Sequence, residues 1–243
     1  MKAERSSVIF GTTKIDYTIR RTARVKTVSV AVDPEDGVVL TAPRGAGSDR
    51  LDGIVRAKAT WILPQLRRAS DRPPPMAERE FVSGETFLYA GRQHTLRVIV
   101  GGDEGASLDH GRLVVRVARG VRASQRSTVV RRLLVDWYRA RADERVRELV
   151  VDWAKRARVA PSKVSIVEQR RRWGSCSSAG DVRLNWRVVG ANRRTLEYVI
   201  AHELTHLRHP DHTAAFWRAL GAAMPDYERR RAQLRDVGPR LVW

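Results

Sequence analysis

Residues 202–206 read His202-Glu203-Leu204-Thr205-His206, within a stretch where Leu196, Val199, Ile200, Leu204 and Leu207 recur at the offsets of one buried helix face. A helix here constrains the fold most strongly, because its period dictates where every polar side chain must point. His202 and His206 form the stripe beside the apolar one, a turn apart. At about 100° per residue Glu203 projects between Val199 and Leu207 onto the inward face, where an unpaired carboxylate is costly. Something cationic or hydrogen-bonding has to meet it.

Two imidazoles a turn apart with a carboxylate between them are the first half of a catalytic zinc site. His212 is the preferred third ligand, because Pro210 should end the helix near His209 and let the chain turn back. His209 competes: seven positions after His202, it would share that face if the helix ran on. Three neutral imidazoles leave zinc its full charge and an open position for water, whose pKa it lowers toward ~7. Glu203 can then take the proton as water attacks a carbonyl or phosphoryl centre.

Length and composition bound the setting. A chain of 243 residues with 42% hydrophobic content can bury a real core, as one large domain or two smaller ones. No run approaches the ~18 apolar residues of a membrane span, and Met1 to Gly11 lacks the apolar core of a secretory signal, so a soluble cytoplasmic protein without a membrane partner is expected. The single Cys176 cannot form an internal disulfide. A net charge of +19 suits a phosphate-bearing partner, whether nucleotide, nucleic acid or an acidic surface. Nucleic acid is the weaker of these, because the positive charge is almost all Arg, is spread along the chain, and comes with no nucleic-acid-binding motif. Oligomeric state is not indicated.

Strands precede helices. Thr27 to Val32 and Val38 to Ala42 alternate around Asp33-Pro34-Glu35-Asp36-Gly37 and predict a hairpin. Ser48 to Arg68 predicts a helix capped by Ser48 or Asp49, with Trp61 on its apolar face and Pro64 as a kink or early end. Pro73-Pro74-Pro75 reads as a stiff connector. Phe87 to Ala90, Thr95 to Val100 and Leu113 to Val117 predict further strands, with His94 and His110 as surface residues in or near their turns. Ser127 to about Arg158 predicts a long helix. Val182, Leu184, Trp186 and Val188 alternate with polar residues and predict a strand, with Val164 to Val167 as its hairpin partner and a possible edge for an extended peptide. No internal repeat is visible. The expected fold class is α+β, with a β-rich region over residues 1–120 and a metal-binding catalytic region over 121–243.

Arg172-Trp173-Gly174-Ser175-Cys176, Leu184-Asn185-Trp186, Tyr198 to His206, His212 with Phe216-Trp217, and Pro225-Asp226-Tyr227 together resemble the YgjP-like zinc metallopeptidases, relatives of the SprT-like zincins. Thr41-Ala42-Pro43-Arg44 and Trp61-Ile62 extend the likeness, more weakly, into the first half. The resemblance implies a zincin-like second half, His202, His206 and His212 as zinc ligands, and Glu203 as the catalytic carboxylate. His209 stands where metzincins place a glycine, which argues against that group.

Arg172, Trp173, Asn185 and Tyr198 are the candidate substrate-binding residues, Arg172 or Tyr198 doubling as a second electrophile. Three functions follow. The first is a zinc peptidase acting on peptide or protein. The second is a metal-dependent nucleoside triphosphate pyrophosphatase, with Arg170-Arg171-Arg172 holding phosphates and Trp173 stacking on a base, an activity also attached to YgjP-like proteins. The third is a zinc-stabilised binding module without activity, against which the carboxylate at Glu203 speaks.

Overall fold

The computed structural model describes residues 4–23, 27–33, 36–70, 79–169 and 171–243, and the Pro73-Pro74-Pro75 connector, Pro34 and Glu35 of the Asp33–Gly37 turn, and Arg170 lie outside them. The chain divides into two compact units, Met1–Pro75 and Met76–Trp243. The architecture is mixed α+β, as expected.

In the first unit β1 (Glu4–Phe10), β2 (Thr13–Thr22), β3 (Ser29–Asp33) and β4 (Gly37–Pro43) form a sheet in the order β1-β2-β4-β3. The predicted β3–β4 hairpin is present, and β2 pairs with β4 in parallel. β1 and β2 are not among the strands the sequence predicts, although Ile15, Tyr17 and Ile19 alternate inward along β2. Helices α1 (Ser48–Ala57) and α2 (Ala59–Ser70) bury Leu51, Val55, Ala59 and Ile62 against the sheet. The single helix expected here is broken at Lys58, and Pro64 lies within α2 without ending it. The carbonyl that Pro64 cannot reach belongs to Thr60, an exposed residue. Gly47 occupies the N-cap in place of Ser48 or Asp49, and Trp61 is about half exposed.

The second unit opens with β5 (Thr86–Tyr89), β6 (Arg92–Val100), β7 (Gly105–Asp109) and β8 (Arg112–Val117), in the order β5-β6-β8-β7. His94 is buried, not a surface residue, with Nδ1 2.8 Å from the Gly111 carbonyl, whereas His110 is exposed. This sheet repeats the topology of the first one, a parallel central pair flanked by antiparallel edges. Val38, Val39, Leu40 and Ala42 are buried on β4; Leu113, Val114, Val115 and Val117 are buried in the same pattern on β8. A four-stranded sheet followed by a helix therefore occurs twice. The repeat is one of pairing and burial, not of residue identity, so the sequence does not display it.

Helix α3 (Ala123–Ala157) is 35 residues long, roughly 50 Å at 1.5 Å per residue. Its first half packs Val130, Leu134 and Tyr138 against β5, β6 and β8, and its second half packs Val146, Leu149 and Trp153 against the region around residues 182–204. One helix thus serves both cores, and a boundary at 120/121 would separate a sheet from the helix that covers it.

A three-stranded sheet of β9 (Lys163–Val167), β10 (Gly174–Cys176) and β11 (Asp181–Asn185) follows, in the order β10-β11-β9. β9 pairs with β11 in parallel, so the hairpin partner of β11 is Gly174–Cys176 instead of Val164 to Val167. The strand also stops at Asn185. Its Oδ1 accepts the Arg187 N–H and turns Trp186–Gly190 into a 3-10 turn. Trp186 and Val188 are buried as the alternation requires, but Arg187 is buried too, its guanidinium donating to Glu168 and to the Trp243 carbonyl. Helices α4 (Arg193–Thr205), α5 (Ala214–Ala223) and α6 (Tyr227–Leu241) complete the unit.

Candidate metal centre

Helix α4 begins at Asn192, whose side chain accepts the Thr195 N–H at 2.9 Å. Leu196, Val199, Ile200 and Leu204 face the core, so the register of the helix is held by burial of its apolar stripe. That register turns Glu203 inward, 7% exposed, and leaves His202 and His206 half-buried beside it. The helix ends at Thr205, a turn earlier than expected, and the His209 N–H still bonds the Thr205 carbonyl as the chain leaves it.

The chain then returns. His212 Nε2 lies 3.0 Å from His202 Nε2, and one ring nitrogen from each of His202, His206 and His212 falls within 4.8 Å of the others. Buried Phe216 of α5 floors the cluster, its ring 4.6, 4.8 and 5.0 Å from those of His206, His212 and His202. Trp217 donates its indole N–H to the His212 carbonyl at 3.2 Å. These two aromatics position the third histidine. The sequence shows them as a pair after His212 but does not reveal what they touch.

The donor set fits a divalent metal. His206 Nδ1 faces the His209 carbonyl at 3.0 Å; a carbonyl only accepts, so Nδ1 carries a proton, and in the neutral ring that leaves the lone pair on Nε2. Two ring nitrogens facing each other at 3.0 Å repel unless a proton or cation lies between them, and the edge of a tetrahedron with ~2.0–2.1 Å zinc–nitrogen bonds is about 3.3 Å. Burial, with the neighbouring His206, His212 and Arg231, pushes the His202 pKa down to about 3, and burial lowers that of His212 as well. Both are therefore neutral, the form that ligates. His209 contributes its carbonyl, while its ring lines a separate groove of about 330 Å³ with Arg158 and Arg208.

Glu203 lies against Gly174 of β10. A Cβ at that position would come within 2.6 Å of Glu203 Cγ and 2.7 Å of Oε1, so the glycine is what lets the strand pass over the carboxylate. Burial raises the Glu203 pKa to about 7, the charge of Arg172 holding it partly down. The carboxylate, the three histidines, Arg172 and Gly174 through Ser178 line a cleft of about 440 Å³. Cys176 is among them, its thiol pKa raised by burial and by the nearby carboxylates of Glu203 and Asp181.

Of the candidate substrate-binding residues only Arg172 lines this cleft. Trp173 is half-buried and packed against α6, where a Cβ on Gly238 would come within 3.2 Å of its ring. Asn185 is 2% exposed and latches the preceding loop, donating to the Gln169 and Arg172 carbonyls. Tyr198 is 4% exposed with its ring 5.8 Å from that of His202, and burial pushes its pKa up to about 12.

Fold and cluster together define a mixed α+β protein with three histidines fit to hold a divalent metal beside a buried glutamate. Residues 26–237 match the family described as YgjP-like, metallopeptidase domain, and the chain belongs to that family. Among solved structures it is similar to the metallopeptidase zymogen abylysin of Pyrococcus abyssi, at 22% identity and a TM-score of 0.35, over 38% of this chain and 90% of that one. No curated protein matches it. No described helix is long and apolar enough to cross a membrane.

Proposed function

We propose that this chain is a zinc-dependent peptidase in which His202, His206 and His212 hold the metal and Glu203 is the general base. Zinc held there would supply a Lewis acid and acidify a water in its open position. Glu203 would be the group that takes a proton from an attacking water and passes it to the leaving amine, a role suited to a carboxyl whose pKa lies close to neutral. Arg172 stands beside Glu203 in the cleft as the candidate electrophile for the carbonyl oxygen. β10 is an edge strand that lines the same cleft, so an extended peptide can add to it by backbone hydrogen bonds. Family membership supports peptide as the substrate class. The observation that carries the reading is the buried glutamate next to a histidine cluster; a closed structural zinc site has no use for it. The pyrophosphatase reading would need Trp173 to stack on a base, and Trp173 does not line the cleft with Arg172.

The test is turnover of a peptide library, alongside a panel of nucleoside triphosphates, by zinc-loaded protein and by Glu203→Gln. The variant should keep its fold and zinc and lose about 10²- to 10⁴-fold in peptide turnover. Glu203-dependent pyrophosphate release without peptide cleavage would replace the reading with the nucleotide one. Loss of zinc on His209→Ala but not on His212→Ala would overturn the ligand set.

A further inference from the structure

Helix α6 carries a run of arginines with different fates. Arg229 pairs with Asp226, Arg230 with both Glu197 and Asp226, and Arg235 with Asp236. Arg231 makes no ion pair among the described residues. Its guanidinium instead lies over the ring of Trp217, 4.9 Å from the centroid, where a cation is held by the π-face and keeps its hydrogen-bond donors free. Trp217 is itself held by stacking on Tyr227, at 5.6 Å and 22°.

This aromatic shelf adjoins the histidine cluster. The Trp217 ring is 5.6 Å from that of His212 and 6.2 Å from that of His202. Arg231 is near enough to act electrostatically on both histidines and on Tyr198, and it is exposed to solvent. Asp211, whose charge also reaches His212, makes no ion pair with it. An unpaired, stacked guanidinium on a ring that adjoins the histidine cluster is an anion receptor in form, because its planar fork matches a carboxylate and the stacking has already restricted the side chain.

We propose that Arg231 receives a carboxylate of the peptide substrate close to the scissile bond, making this a peptidase for acidic or C-terminal sites. The proposal rests on the peptidase reading. The carboxylate has two possible sources, an Asp or Glu side chain or the peptide's own C-terminus.

The experiment compares matched peptides cleaved by the zinc-loaded full chain: Asp or Glu against Asn or Gln near the cleaved bond, each with a free and an amidated C-terminus. The acidic or free-acid member should be favoured in kcat/KM by about ten- to a hundredfold. Preference for Asp in amidated peptides assigns the side chain, and preference for the free acid whatever the side chain assigns the terminus. Arg231→Gln should bring the ratio close to one, and Arg231→Glu should reverse it in favour of Lys-containing peptides. Affinities of zinc-loaded Glu203→Gln for the same peptides give the ratio without turnover. Cleavage with no acidic preference, or a preference that survives Arg231→Glu, overturns the assignment and leaves the peptidase reading standing. A wild-type protein that cleaves no peptide overturns both.

Discussion

Glu203 is the residue on which the proposed chemistry turns, and its environment is measurable without substrate. Burial keeps its carboxyl protonated up to about pH 7, against an ordinary value of 4.5. In the metal-free protein the folded state therefore holds a proton that the unfolded state has already released. The stability associated with that proton is fully present below pH 4.5, falls as the pH rises toward 7, and is lost above it. Glu203→Gln removes the dependence. Chelator-treated wild type should lose up to roughly 3 kcal/mol relative to the variant between pH 4.5 and 7, read by urea unfolding. Parallel stability curves would mean a hydrated carboxylate and remove the physical basis for Glu203 as a near-neutral base. The inward direction of Glu203 is legible from helical phase alone. What meets it is not, because Gly174 lies 29 positions earlier and acts through a missing side chain.

At the scale of elements, the close pass of β10 over α4 is what shapes the cleft. Gly174→Ala would place a methyl group 2.6 to 2.8 Å from three atoms of Glu203, so strand or carboxylate must move. The variant should bind zinc as wild type does, lose about 1–3 kcal/mol of stability from overpacking, and lose most turnover. Metal content, thermal unfolding and peptide cleavage together check this, and unchanged turnover would show that the cleft tolerates a displaced carboxylate. The α4 helix and its apolar stripe are readable from period, since burial of Leu196, Val199, Ile200 and Leu204 overrides every local preference. The β10–β11 hairpin is misread for a local reason. The alternation from Val182 to Val188 continues through a 3-10 turn that also buries Trp186 and Val188, and Asn185 creates that turn by capping Arg187.

For the whole molecule, the histidine cluster, Glu203 and the cores that hold them all belong to residues 76–243. A fragment of those residues should fold, bind one zinc, and gain the same increase in melting temperature on metal addition as the corresponding transition of the full chain. A fragment that fails to bind zinc would mean that the first unit takes part in building the site. The first unit, with its own core and a sheet of the same topology as that of β5 to β8, carries no such cluster among its described residues. By itself the sequence determined the α+β class from its strand and helix periods, and the α4 helix with its two histidines and inward glutamate from spacings of three or four residues along a helix of known period. Tertiary structure alone decided the rest: the return of His212 over Phe216, the passage of Gly174 over Glu203, the packing of Trp173 on α6 and the burial of Asn185, and the seat of Arg231 on Trp217. Those contacts join elements whose separation in the chain has no period, and they exist only where packed cores bring the elements together.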